Sequence, residues 1–218
     1  MTLMNAGTRR VQPGEPAPDF NLPVVQEERT VSLADYRGQS PLFLALFIGL
    51  YCPFCRRSLA RLNALRDALD AAGVRTLAVV ATELENARFY FKHRPSRIPL
   101  AADPQFSTHR AYGIHKIQVD EAMLETIGAL KINPTGALPE PMSPAQGSLL
   151  LDQAEGYQRT EADLRDIERQ WPLNKAQFLV DRDGIVRWAN VECQNDGFAG
   201  IGKFPSDQDI MSAVRILA

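Results

Sequence analysis

The stretch PLFLALFIGLYCPFCRR, Pro41 to Arg57, decides how this chain is read. Leu42–Ile48 is a continuous apolar run, the pattern of a strand covered on both faces. From Phe54 to Ala72, Leu59, Leu62, Leu65 and Leu69 recur at helical spacing, with arginines and aspartates opposite, and Gly73 ends the helix. Val74–Ala81 is a second buried run. Strand, helix and strand within about forty residues form one βαβ unit, a connection that is almost always right-handed.

The junction between the first strand and the helix carries the chemistry. Cys52 takes the N-cap position, and Pro53 takes the first helical position, where its missing N–H costs nothing. The helix N-terminus then offers partial positive charge and free N–H donors to the sulfur. Such placement lowers a thiol pKa from about 8.5 to somewhere within about 3.5–7.5. Cys55 lies one turn on, near the separation a disulfide needs, and is expected to be less exposed. Cys52 is therefore the attacking thiol and Cys55 the resolving thiol of a dithiol–disulfide cycle.

Arg56 and Arg57 follow directly. Cations in a first turn oppose the helix dipole by roughly 0.3–1 kcal/mol each. Support of a thiolate or an anionic substrate would offset that penalty; pointing both side chains into solvent would make it small. A zinc half-site is the competing use of the two cysteines. Zinc needs four ligands and no second CxxC exists, although Cys193 with His93, His109 or His115 could complete a set. On its own, Cys193 is most simply a partly buried small residue.

Composition sets the bounds. The 218 residues are 45% hydrophobic, enough for one sizeable core and a single elaborated domain over 1–218. With 24 basic and 26 acidic residues the net charge is −2, so no field attracts nucleic acid or an anionic membrane. The longest strongly apolar stretch, Leu42–Leu50, is too short to span a bilayer. Met1–Arg10 lacks the apolar segment of a secretory signal, and three cysteines cannot make a disulfide framework. The expected location is the reducing cytoplasm.

Outside the central unit, Val11–Leu22 reads as an extended arm and Val24–Val31 as a small hairpin. Ser32 caps a short turn, Leu33–Tyr36, closed by Gly38. Glu83–Arg94 is expected to be a helix, Ile98–Ala102 a strand and Pro104–Tyr112 a short helix. Gln177–Val180 and Ile185–Val191 flank Asp181-Arg182-Asp183-Gly184, a hairpin signal with glycine where positive φ is needed. Ser206 starts a last helix that runs to about Leu217. Residues 114–174 form an insertion, with helices expected over Gln118–Lys131 and Thr160–Gln170 and irregular chain over Asn133–Gly147.

Three segments together resemble the redoxin group, the alkyl hydroperoxide reductase/thiol-specific antioxidant (AhpC/TSA) branch of the thioredoxin-like superfamily. They are Gly14–Phe20, the strand–CPFC–helix unit, and Phe178–Trp188. The resemblance implies an α/β, thioredoxin-like fold: a central mixed sheet flanked by helices, with the reactive thiol at the C-terminal end of a parallel strand. It also implies a disulfide or peroxide substrate, a thiol reductant such as a thioredoxin or glutathione system, and no bound organic cofactor.

The chain departs from the group's patterns at particular positions. Peroxiredoxins carry Thr three residues before the peroxide-attacking Cys and Pro four residues earlier; here those positions hold Gly49 and Ala45. The usual hydroxyl partner of the peroxide is therefore missing. Where thioredoxins carry a cis-proline facing the CxxC, this chain has Lys175; peroxiredoxins often have Arg there, so Lys175 is a candidate to stabilise the Cys52 thiolate. Tyr51 stands where thioredoxins usually have Trp and is expected to shape the substrate surface beside the sulfur, with Pro53 and Phe54. Leu42–Ile48 contains no ionisable residue, which leaves Glu83 as a candidate proton acceptor. The insertion is expected to pack near Cys52 and to gate or select substrate, or to make a homodimer contact. The reading is a thiol–disulfide oxidoreductase, with a thiol peroxidase and a non-enzymatic metal- or partner-binding protein as the alternatives.

Overall fold

The computed structural model describes residues 9–217. The reading of Met1–Arg10 falls, for residues 1–8, outside the described residues. In chain order the elements are β1 (Asn21–Pro23), β2 (Thr30–Ser32), β3 (Leu42–Phe47), α1 (Pro53–Ala71), β4 (Arg75–Val80), α2 (Leu84–His93), β5 (Leu100–Ala102) and α3 (Ser107–Ala111). Then come α4 (Glu121–Ala129), α5 (Pro144–Ala154), α6 (Glu161–Gln170), β6 (Ala176–Val180), β7 (Val186–Val191) and α7 (Asp207–Val214).

The main sheet has the order β5-β4-β3-β6-β7. β3 and β4 run parallel, as do β4 and β5, while β6 is antiparallel to both β3 and β7. This is the mixed sheet flanked by helices that the family resemblance implies. Strand β3 lies at its centre, and all six of its residues are buried. Phe43, Ala45 and Phe47 face one layer, with Leu59, Leu62 and Leu69 of α1 and Ile210 and Val214 of α7. Leu42, Leu44 and Leu46 face the other, with Leu33, Tyr112 and Phe178. Each fully buried side chain of this size contributes roughly 1.5–3 kcal/mol, so β3 is firmly held where it hands the chain to Cys52.

Local detail departs from expectation in two places. The N-terminal hairpin pairs β1 with β2, with Leu22 opposite Val31, rather than spanning Val24–Val31. Val24 and Val25 are buried instead at the sheet edge, where Val24 bridges Ala101 and the Val25 N–H bonds the Leu100 carbonyl at 2.8 Å. In the insertion, α5 was masked by prolines. Ser143 caps it, accepting from the Gln146 N–H, and Pro144 occupies its first turn, so the proline starts a helix instead of preventing one. Helix α4 is shorter than expected because Asp120 caps it, accepting from the Met123 N–H. Thr160 caps α6 as expected. No helix among the described residues is long and apolar enough to cross a membrane.

Candidate active site

Strand β3 carries the chain to the C-terminal edge of the sheet, and Gly49–Tyr51 turn it into α1. Cys52 is the N-cap in extended backbone, with Pro53 at the helix start. Its carbonyl accepts from the Cys55 N–H at 3.0 Å and the Arg56 N–H at 3.1 Å, closing the first turn. Both thiols are free; Cys52 is partly exposed, whereas Cys55 is 2% exposed. The pair is thus asymmetric, one residue partly open to solvent and its neighbour enclosed.

Electrostatics deepen that asymmetry. A hydrogen bond from the Cys55 thiol lowers the Cys52 pKa, and against the opposing effects of burial and Glu192 the Lys175 ammonium and the Cys55 N–H keep it below the ordinary thiol value. Burial, followed by the hydrogen bond and charge of Cys52, drives the Cys55 pKa well upward. Of the two thiols, Cys52 is therefore the more acidic and Cys55 the less.

Lys175 immediately precedes β6, whose Ala176 lies opposite Leu46 of β3, so it stands beside the end of the strand that leads to Cys52. It is 1% exposed, and its ammonium lies 3.3 Å from Glu192 Oε1 without a well-directed hydrogen bond. Burial disfavours the cation, but Glu192, Cys55 and Cys52 together outweigh burial and raise its pKa. Glu192 was not singled out from sequence. A charged residue after a strand looks like any solvated surface acid, and only the fold turns it inward.

Other expected site residues lie elsewhere. Arg56 does not support the thiolate. Its guanidinium is buried and each nitrogen is engaged: Nη1 donates to the Leu50 carbonyl (2.8 Å), Nη2 to Asp152 (2.6 Å) and Nε to Glu155 (2.8 Å). It also stacks 3.8 Å from the Tyr157 ring centre. Arg57 pairs with Glu155 at 2.8 Å. Tyr51 does not form a substrate surface either, since it is 6% exposed and its hydroxyl is buried without a partner. A Cβ at Gly49 would meet the Tyr51 ring at 2.7 Å and Gln170 Oε1 at 2.8 Å, so those side chains fill the space a threonine there would need.

Phe54 is buried in a satellite cluster with Ile132, Leu138 and Leu151 of the insertion, and Cys52 packs at its margin. The insertion therefore borders Cys52, through Phe54. Pro53 is buried at the helix start. Glu83 is half-exposed at the N-cap of α2 and pairs with Arg169 at 3.0 Å; the carboxylate acting on both thiols is Glu192 instead. Cys193 sits at φ 64° next to Glu192, and burial pushes its thiol up to about 12. Among the described residues, no group of three or more His, Cys, Asp or Glu side chains is gathered as a metal site.

The AhpC/TSA family model matches residues 13–189. No curated protein matches the chain. Among solved structures, the reduced 2-Cys peroxiredoxin of Plasmodium vivax is 16% identical with a TM-score of 0.59, over 95% of this chain and 81% of that one. Peroxidoxin BcpB of Mycobacterium tuberculosis is 14% identical with a TM-score of 0.57, over 95% and 97%. A Chlorobium tepidum protein described as thiol:disulfide interchange protein DsbE is 20% identical with a TM-score of 0.53, over 94% and 99%. At these identities the likenesses speak for the thioredoxin-like fold.

Proposed function

The chain belongs to the AhpC/TSA family, and on that premise we propose that it is a thiol–disulfide oxidoreductase working through Cys52 and Cys55. One observation carries this reading: a partly exposed, acidified Cys52 at a helix N-cap with a buried, protonated Cys55 one turn behind it. The Cys52 thiolate attacks one sulfur of a substrate disulfide, forming a mixed disulfide and releasing the other sulfur as a thiolate. Cys55 then loses its proton and attacks the Cys52 sulfur. The second substrate thiolate leaves, and the Cys52–Cys55 disulfide holds the two electron equivalents of oxidation. A small thiol or a dithiol protein of the thioredoxin or glutathione type returns it to the dithiol. Lys175 supports the Cys52 thiolate in this cycle, and Pro53 and Phe54 shape the turn that presents it.

Thiol peroxidase chemistry is the family's other activity class, in which Cys52 is oxidised to a sulfenic acid and condenses with Cys55. The filled space at Gly49 speaks against it, since the site lacks the hydroxyl a peroxide would meet. Rapid mixing with hydrogen peroxide separates the two: oxidation of Cys52 near the rate of an ordinary thiolate supports the disulfide reading, and rapid stoichiometric oxidation overturns it. Cys52→Ser abolishes turnover of a disulfide substrate, whereas Cys55→Ser accumulates the mixed disulfide. Full multiple turnover by Cys55→Ser excludes the resolving role.

A further inference from the structure

We propose that Glu192 is a positioning residue of the redox centre, anchoring Lys175 beside the dithiol and opposing, by its own charge, the thiolate that Lys175 favours. The proposal rests on the dithiol reading above and concerns how that site is tuned. Glu192 directly follows β7, and its N–H bonds the Lys175 carbonyl at 3.0 Å, so the two residues face each other across the last rung of the sheet. The Glu192 side chain is fixed from three directions. Oε2 accepts the Lys175 backbone N–H at 3.1 Å, Oε1 accepts the Gly202 N–H at 2.6 Å, and the Lys175 ammonium lies 3.3 Å from Oε1.

Gly202 ties this carboxylate to the cysteines. It has φ 80°, and a Cβ there would lie 2.6 Å from Pro134 and 3.0 Å from the Phe54 ring. Phe54 is the residue between Pro53 and Cys55, so a single residue separates the carboxylate from the CxxC turn. The pair is enclosed, with side-chain exposures of 1% for Lys175 and 8% for Glu192.

An enclosed ammonium with unused donors is unfavourable unless an anion accepts them. Two anions are at hand, and they differ in permanence. The Glu192 carboxyl is present in both redox states, whereas the Cys52 thiolate vanishes when the disulfide forms. In the oxidised protein Lys175 and Glu192 neutralise each other; in the reduced protein the thiolate adds a second negative charge to the same pocket. Glu192 thus keeps Lys175 compensated when no thiolate is present and restrains the thiolate when it forms. The remaining groups nearby stay neutral or are paired: burial pushes Tyr51 far upward, Cys193 stays protonated, Asp196 holds Lys203 at 2.7 Å, and Asp166 pairs with Arg169.

Ultraviolet thiolate absorbance across pH, measured on the full reduced chain, tests the proposal. Glu192→Gln lowers the proton affinity of Cys52 about tenfold, and Lys175→Met raises it about tenfold. The dithiol–disulfide equilibrium against glutathione moves in opposite senses in the two variants, toward the dithiol in Glu192→Gln and toward the disulfide in Lys175→Met. The double variant removes both buried charges, is the best tolerated, and falls between the two. If Lys175→Met does not fold, the step from Glu192→Gln to the double variant isolates the lysine. Single variants that shift Cys52 in the same direction, or a Glu192→Gln protein indistinguishable from the parent, overturn the proposal. The titration reads the thiols without turnover, so opposite shifts in a protein that reduces no disulfide would defeat the functional reading and leave this one standing.

Discussion

Arg56 and Lys175 are both buried cations flanking the Cys52–Cys55 turn, yet each nitrogen of Arg56 donates to a well-placed acceptor and the Lys175 ammonium does not. Arg56 is spent on two carboxylates, a carbonyl and the face of Tyr157, all but the carbonyl supplied by α5 and the residues just after it. The Tyr157 hydroxyl in turn donates to Asp163 of α6 at 2.8 Å, so the arginine bolts the insertion to α1. Lys175 has one off-axis carboxylate and nothing else well directed. A buried cation with saturated geometry is a fastener; one with spare donors stays available to an anion that forms and disappears. Arginine's planar fork suits the first task and lysine's compact ammonium the second.

The contrast can be broken experimentally. The largest effect is expected from Arg56→Met, which removes the guanidinium from Asp152 Oδ1, Glu155 Oε2 and the Leu50 carbonyl, leaves Asp152 to Arg159 and Glu155 to Arg57, and costs roughly 3–5 kcal/mol in denaturant unfolding. The Cys52 titration should stay where it is; a strong shift in thiol acidity would make Arg56 part of the electrostatic machinery after all. Leu151→Ala removes a side chain that is 1% exposed in the Phe54 cluster. It should cost about 2–4 kcal/mol and loosen the same contact from the apolar side, read as faster proteolysis within residues 114–174.

Acid unfolding of the chain carries a contribution from His109, which is fully buried with neither ring nitrogen bonded. Burial lowers its pKa from 6.5 to about 4. The unfolded chain therefore takes up the proton first, and stability falls as pH drops from 6.5 toward 4, by about 3 kcal/mol for this residue alone. Asp166, raised by burial to about 6, works in the opposite sense, gaining stability as pH falls below that value. Comparing the pH profiles of the parent and His109→Leu isolates the imidazole: the variant should lose the His109 slope. The smallest effect is expected from Thr160→Ala, which removes the α6 cap. It should cost about 1 kcal/mol in the insertion and leave alkylation of Cys52 unchanged.

Much of the frame was legible because its signals are local. The unbroken apolar run of β3, the leucine spacing of α1 and the Asp181–Gly184 turn each specify their own conformation within a few residues. The N-cap position of Cys52 followed from Pro53 in the same way. Helix α5 was hidden because Pro139, Pro141 and Pro144 look like breakers until Ser143 is recognised as a cap. Tyr51 and Arg56 were assigned to the thiol as its neighbours in sequence and Glu83 as the acid at the end of the second strand, and each is turned toward something else.

By itself, the sequence determined the βαβ unit, the family and the two sulfurs, since periodicity and capping act over a turn or two of chain. Tertiary structure alone decided which charges keep company with those sulfurs. Arg56 meets Asp152 across 96 positions, and Lys175 meets Glu192 across 17. Charges interact strongly only where folding has removed the water between them, and no local pattern records which side chains are enclosed together.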